Sequence, residues 1–300
     1  MRWILLSGLG LLVLAGCSSR KVDCLQKVDS RGQELERLDP ELLRVLTYNV
    51  YVGNTDLPMT ARSLLRLRPD VAALQEVTPE QFHALQQQLG SVLPYHFFPP
   101  SSQENVVALF SRLPLRNLRY EPSNHGLNGF AFAEIEFLDH PVQLAAVHLD
   151  PIRAWTLTYK LTLPWQILHQ GNVHRHELDQ VLEHLRPGVP SVILGDFNSY
   201  ASSAGPEYLR SRGFVDSARS VCKRADAVVT HHFSVLGRSF GRRIDFIFHG
   251  AELRTVESRV IPGDPSDHDI VVSSLQWASG STEGRPNHSF QRTRWGHARR

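Results

Sequence analysis

Polar side chains able to hold a metal ion or move a proton stand repeatedly at the end of an apolar run in this 300-residue chain. Asn49 closes Leu46-Thr47-Tyr48-Asn49, Glu76 closes Ala73-Leu74-Gln75-Glu76, and His148 follows Ala145-Ala146-Val147. Asp196 and Asn198 lie in Leu194-Gly195-Asp196-Phe197-Asn198, Asp245 in Arg243-Ile244-Asp245-Phe246, and Asp267 and His268 in Ser266-Asp267-His268-Asp269. Singly each is ordinary. A lone aspartate at a strand end is usually a cap or turn residue, Asp196 with Asn198 reads equally as an Asx-type turn, and Asp245 as an ion partner of Arg242 or Arg243. Together they describe a site, because loops at the strand ends of a rigid scaffold readily gather catalytic groups. Oxygen ligands from Glu76, Asn49 and Asp267 suit a hard cation. With so few cysteines on offer, Mg²⁺ is expected over zinc, Mn²⁺ and Ca²⁺ being the alternatives.

Something must hold these residues in place, and the pattern of the chain says what. Short apolar or β-branched runs bounded by turn residues predict strands at Leu43–Val50, Val71–Leu74, Val106–Phe110, Phe130–Phe137, Val142–Val147, Val192–Leu194, Ile244–Phe248 and Ile270–Ser273. Apolar residues at three-to-four spacing predict helices at Thr60–Leu67, Pro79–Leu89 and about Trp165–Leu185, with Thr78-Pro79 as an N-cap and first-turn proline. The middle block strings strands together without a helix, so the order fits two packed sheets with helices outside rather than a βαβ repeat.

Composition limits the function classes. At 42% hydrophobic and 21% charged the chain can bury a sizeable core, which excludes disordered, collagen-like and coiled-coil architectures. Three cysteines without a CxxC pair exclude a disulfide-rich mini-fold or a structural zinc module. The net charge of +2 is concentrated in residues 281–300, with five arginines and one glutamate. The rest is near neutral, which lacks the broad basic footprint of a processive nucleic-acid binder. A local cluster, Lys223, Arg224, Arg238, Arg242 and Arg243, is either a phosphate-binding patch or a solvated basic loop. Trp155, Tyr159 and Trp165 are read as core, with a base-stacking or lipid-contacting wall as the alternative.

From about Arg44 to Ser274 the chain resembles the endonuclease/exonuclease/phosphatase superfamily, the DNase I-like fold. The resemblance rests on Leu-Thr-Tyr-Asn49-Val, Leu-Gln-Glu76-Val, Val-His148-Leu, Gly-Asp196-Phe-Asn198-Ser, Arg-Ile-Asp245-Phe-Ile and Ser-Asp267-His268-Asp, in the family's order and at compatible spacings. Ser111-Arg112-Leu113-Pro114-Leu115 resembles a further family segment. It implies an α/β (α+β) four-layer αββα sandwich, two mixed β-sheets packed face to face with helices outside. Glu76, with Asn49 and Asp267, would then hold a divalent ion that polarises a phosphoryl oxygen. Asp196 would deprotonate the attacking water, Asn198 would donate to a non-bridging oxygen, and Asp245 would keep His268 protonated against the phosphate. His148 would lie on the leaving-group side, oriented by Glu104. The implied activity is metal-dependent hydrolysis of phosphodiester or phosphomonoester bonds, with nuclease and sphingomyelinase-like phospholipase both open and a monomer expected. A non-catalytic lipid-anchored binding protein is the reading from a different class. Against it, Glu76, Asp196, Asn198, Asp245 and His268 are all retained.

The termini carry their own signals. Met1-Arg2-Trp3 followed by the mostly apolar Ile4–Ala15 has the shape of a secretory signal, and is too short to span a core of about 30 Å at about 1.5 Å per helical residue. Leu14-Ala15-Gly16-Cys17 resembles the lipobox of bacterial lipoproteins, which implies cleavage before Cys17 and its lipidation. Ser18 and Ser19 then favour the outer membrane of a Gram-negative host, with the protein facing the periplasm or the exterior. The expected organisation is a signal peptide over residues 1–16, a tether over 17–40, the phosphoesterase-like domain over 41–278 and a disordered basic tail over 279–300. Cys24 and Cys222 either bridge or remain small buried hydrophobes.

Overall fold

Runs of apolar residues without alternation become strands buried on both faces, and this decides the architecture. The computed structural model describes Leu25 and residues 39–100, 106–151, 157–235 and 237–279, the side chains of 157–169 and 235 excepted. Strand β1 (Leu43–Asn49), helix α1 (Leu57–Leu67), β2 (Val71–Val77), α2 (Pro79–Leu89), β3 (Tyr95–Phe97) and β4 (Val106–Ser111) come first. Then follow β5 (Arg116–Pro122), β6 (Gly129–Phe137), β7 (His140–His148), α3 (Leu157–His184), β8 (Ser191–Asp196), α4 (Ala204–Ser211), β9 (Val215–Asp216) and α5 (Ser217–Val221). The chain finishes with β10 (His231–Val235), β11 (Arg238–Arg242), β12 (Asp245–His249), β13 (Leu253–Ile261) and β14 (Ile270–Trp277).

One six-stranded sheet runs β13-β14-β1-β2-β4-β3, a second β5-β6-β7-β8-β12-β9, and β10-β11 stands apart as a two-stranded ribbon. Between the sheets Val45, Val71, Ala73 and Leu109 share one core with Leu144, Ala146, Val192, Leu194 and Ile247. On the outer face of the first sheet Leu46, Tyr48, Ala72 and Leu74 cluster with Leu64 of α1 and Phe82 and Leu85 of α2. On that of the second, Phe130, Ala145, Val147 and Phe246 cluster with Leu178 and Val181 of α3. Neighbouring residues of one strand thus serve opposite cores, which is why the central strands read as continuous apolar runs. The result is the four-layer α/β sandwich of two mixed sheets that the sequence implies.

Helix α2 begins at the expected residue. Thr78 accepts from the Gln81 backbone N–H at 3.2 Å, and the Gln81 side chain accepts from the Thr78 N–H at 3.1 Å, a reciprocal cap ahead of Pro79. Helix α3 starts earlier than the Trp165 read from periodicity, because the backbone stays helical through Pro164, which only forgoes one intrahelical bond.

The parallel pairs β1–β2 and β7–β8 bring four C-terminal strand ends to one rim. Strands β12 and β14 run antiparallel to β8 and β1, so their beginnings reach the same rim. In register, His148 pairs with Asp196, and Asp196 with Asp245. Three chemically active residues therefore lie side by side across adjacent strands, about 4.8 Å apart in the pairing direction. Gly195 permits this approach, since a Cβ there would stand 1.8 Å from the Val147 carbonyl oxygen.

The assignment of 17–40 as a tether is refined at one residue. Leu25 is buried in the core between the sheets, and its carbonyl accepts from Val260 N–H of β13 at 3.0 Å. Cys222 occupies the same core and is disulfide-bonded. Cys17, Cys24 and the basic tail lie outside the described residues, as do Glu104 and Trp155.

Candidate active site

At the rim Asp196 is fully buried between two imidazoles. His148 Nε2 and His268 Nε2 each stand 3.7 Å from its Oδ2. Asn49 Nδ2 donates to that same oxygen at 3.1 Å, and the Asn198 backbone N–H donates to Oδ1 at 2.8 Å. Burial pushes the carboxyl up, but His268, His148 and these donors outweigh it and hold the group below the usual aspartate range. Asp196 is an ionised acceptor enclosed by donors.

His268 faces Asp245 on its other side. Its Nδ1 lies 3.1 and 3.0 Å from the two Asp245 oxygens. Burial opposes the charged ring, yet Asp245 and Asp196 lift its pKa to about 10, while burial pushes Asp245 up. The ring is an imidazolium at neutral pH. Asp245 does not pair with Arg242 or Arg243. Arg243 is buried and bonds to Asp216 at 2.6 Å and to Asp226 at 3.4 Å instead.

Glu76 reaches the site through an irregularity. The pairing of β2 with β4 skips between Leu74 and Val77, both of which face the α1–α2 side, as expected where a β-bulge re-aims a side chain. Glu76 itself has φ +57°, a left-handed backbone costing about 1–3 kcal/mol for a side chain of this kind. Its carboxylate accepts from Asn49 Nδ2 at 3.0 Å and from Val52 N–H at 3.1 Å, and His148 Nε2 is 4.0 Å away. No lysine or arginine among the described residues neutralises it. Asn49 turns its Nδ2 to Glu76, its Oδ1 accepting from Tyr51 N–H at 3.0 Å, so the oxygens facing the site here are those of the Glu76 carboxylate, which suit a hard divalent cation. Asp267, expected to complete that set, has His231 Nε2 3.5 Å from its Oδ2 and lies within metal-holding reach of His268. Two acid–histidine groups can hold a metal ion among the described residues, His231 with Asp267 and His268, and Asp196 with Asp245 and His268. The second is already committed to its internal ion pair.

Asn198 departs from the extended backbone that would place its side chain beside that of Asp196. Strand β8 ends at Asp196, Asn198 has φ +47°, and the two form the Asx-type turn. The Asn198 amide donates to Leu149 O at 3.0 Å, tying this turn to the residue after His148.

Sequence reasoning did not single out the support behind His148. Leu149 N–H donates to Asp196 O at 3.0 Å. Asp150 N–H donates to Glu177 Oε2 at 3.0 Å, and Ser123 Oγ to Glu177 Oε1 at 2.8 Å. Helix α3 also supplies His174, whose Nε2 lies 2.8 Å from Asp150 O and whose Nδ1 bonds Ser199. Burial pushes the pKa of that ring below the usual imidazole value. Burial also raises Glu177 to about 7. The folded protein then holds a proton that the unfolded chain releases near 4.5, so this stabilisation is full at acid pH and is lost as pH rises through 7. Glu177→Gln preserves the neutral shape. It should flatten the fall in Tm between pH 5 and 8, recovering up to about 3 kcal/mol at the alkaline end. Thermal melts of both proteins across that range check this, and parallel curves would refute it.

The chain's likeness to known proteins agrees with this geometry. The family model described as Endonuclease/Exonuclease/phosphatase family matches residues 46–268. Among solved structures, an endonuclease/exonuclease/phosphatase from Beutenbergia cavernae superposes with TM-score 0.61 at 19% identity, covering 79% of this chain and 72% of that one. A family protein from Leptotrichia buccalis gives 0.60 at 17%, covering 78% and 100%. TDP2 from D. rerio, complexed with single strand DNA product, gives 0.60 at 16%, covering 78% and 99%. No curated protein matches. Asn49 to His268 lie inside the matched span, and the chain belongs to the Endonuclease/Exonuclease/phosphatase family.

Proposed function

We propose that the protein is a divalent-metal-dependent hydrolase of phosphodiester bonds. The observation carrying this reading is the buried Asp196 carboxylate, kept ionised between His148 and the His268 imidazolium. Such a group can take the proton of an attacking water while His268 donates to a phosphoryl oxygen. Glu76 is the residue whose carboxylate would hold the ion, with Asp267 and, once its amide turns its oxygen inward, Asn49, and Mg²⁺ suits these oxygen donors. When bound, the ion supplies charge stabilisation at the phosphoryl group. His148 stands on the opposite side of Asp196 from Asp245 and is assigned to the leaving group. The test is hydrolysis of bis(4-nitrophenyl) phosphate by the full-length protein with Mg²⁺ and with EDTA. Chelator-sensitive turnover supports the reading. No turnover with Mg²⁺, Mn²⁺ or Ca²⁺ would replace it with the binding-protein alternative.

The same proposal places the enzyme on a membrane through lipidated Cys17, facing the periplasm or exterior. The Leu14-Ala15-Gly16-Cys17 motif and the disulfide at Cys222 support export. Mass spectrometry of the mature N-terminus should find an acylated Cys17, and Cys17→Ser should release or misprocess the protein. An unmodified start elsewhere would sink the anchoring.

A further inference from the structure

The β10–β11 ribbon belongs to neither sheet, yet it is stitched to the loop that carries His268. His231 bridges His268, His232 N–H donates to Asp267 O at 2.8 Å, and Asp269 N–H donates to Thr230 O at 2.7 Å. From the catalytic imidazolium a row of rings runs outward along one face of the ribbon. His231 lies 4.5 Å from His268, Phe233 5.7 Å from His231, and Phe240 5.7 Å from Phe233. Residues 231 and 233 share a face by strand alternation, and Phe240 is the cross-strand partner of Phe233.

Arg242 sits over this row at the ribbon's base, opposite His231. Its Nε donates to His231 Nδ1 at 3.0 Å, and its Cζ lies 5.3 Å from the Phe233 centroid and 6.0 Å from that of Tyr200. A planar guanidinium is thus oriented by one hydrogen bond and two ring faces. Its terminal nitrogens have no protein acceptor among the described residues, and no carboxylate pairs with it. Its neighbours differ. Arg243 is spent on Asp216 and Asp226, and Arg219 on Asp226. The basic cluster seen in the sequence therefore divides, leaving Arg242 as the member linked to the catalytic histidine through one ring. Arg238 stands exposed at the far end of the same ribbon.

We propose that this ribbon is the arm on which a single nucleic-acid strand lies, with Arg242 binding the phosphate next to the one held at His268. The inference rests on the phosphodiesterase reading and narrows its substrate class. A guanidinium held flat with its outer donors free suits bidentate recognition of a phosphate. The exposed Tyr200 ring and the Phe233–Phe240 pair offer stacking faces for bases without demanding a sequence. A choline phospholipid fits poorly, since its cationic headgroup would meet Arg242 on the ring face it needs.

The test compares wild type, Arg242→Ala and Arg242→Lys as full-length proteins on a single-stranded oligonucleotide, on sphingomyelin vesicles and on bis(4-nitrophenyl) phosphate, which carries one phosphate. Losing one charge-assisted contact should lower kcat/KM on the oligonucleotide about 10–100-fold in Arg242→Ala. That loss should exceed the loss on the small diester at least tenfold. Binding of a labelled oligonucleotide should weaken in parallel, with the slope of log affinity against log salt shallower by about 0.7. Arg242→Lys keeps the charge without the fork, so it should recover the slope but only part of the rate. Equal losses on the oligonucleotide and the small diester would overturn the assignment, as would unchanged oligonucleotide binding or faster turnover of sphingomyelin. Oligonucleotide binding keeps the failure of this assignment distinct from failure of the phosphodiesterase reading, because it responds to Arg242 even if no substrate is hydrolysed.

Discussion

Asp196→Asn should lower phosphodiester turnover about 10²–10⁴-fold, the range a lost general base commands. The asparagine fills the same space and still accepts from Asn198 N–H, so the Asx turn that ends β8 survives. What disappears is the ionised oxygen that stands 3.7 Å from both His148 and His268. The measurement is hydrolysis of bis(4-nitrophenyl) phosphate across a Mg²⁺ titration, with thermal melts alongside. Near-native turnover in a variant that melts normally would remove Asp196 from the chemistry.

His268→Ala should cost about 10²–10³-fold, as when one preorganised donor to a developing oxyanion is removed. A pH profile separates this role from a structural one. In the wild type burial would strip the His268 proton, but Asp245 and Asp196 keep it to about pH 10. The ring therefore stays charged throughout the neutral range, and His268 should impose no fall in kcat/KM until the pH nears that value. In Asp245→Asn the main opposing charge is gone and burial remains, so the folded pKa must drop. Activity should then decline as pH rises through the neutral range. An unchanged profile in Asp245→Asn would show that this carboxylate does not set the charge of His268.

The sequence revealed what repeats and hid what depends on a particular approach of distant segments. Strands β1, β2, β7 and β8 were legible because packing on both faces demands continuous apolar residues, and α2 because Thr78, Pro79 and Gln81 spell its cap. Edge strand β5 was not, since the largely exposed Arg116–Pro122 needs no hydrophobic pattern, and β13 is half covered in the same way. The residues at the rim were visible as polar ends to apolar runs. Their partners were not: His231, His174 and Glu177 gain their places from register and from the packing of α3, neither of which leaves a local mark. A weak trace of the ribbon exists in Phe233, Gly237 and Phe240, the signature of two short strands around a glycine turn. Grouping Arg242 with Arg243 by sequence proximity failed because β11 ends at Arg242, and Arg243, in the link to β12, is buried against Asp216 and Asp226.

The attachment of Leu25 sets the reach of the molecule. Leu25 joins β13 at Val260, which is paired with Val271, itself level with Thr47 of β1 and two residues short of Asn49. Leu25 therefore sits on the edge two strands over from β1, about 10 Å from the strand of Asn49 in the pairing direction. From the proposed lipid at Cys17 to Leu25 the numbering advances by only eight, a leash of at most roughly 29 Å at about 3.6 Å per residue. Were Cys17 lipidated as proposed, so short a length of chain, fastened beside the site, would confine hydrolysis to the few nanometres of water above the leaflet. Substrate would then have to arrive at the membrane surface, since the protein could not go out to meet it.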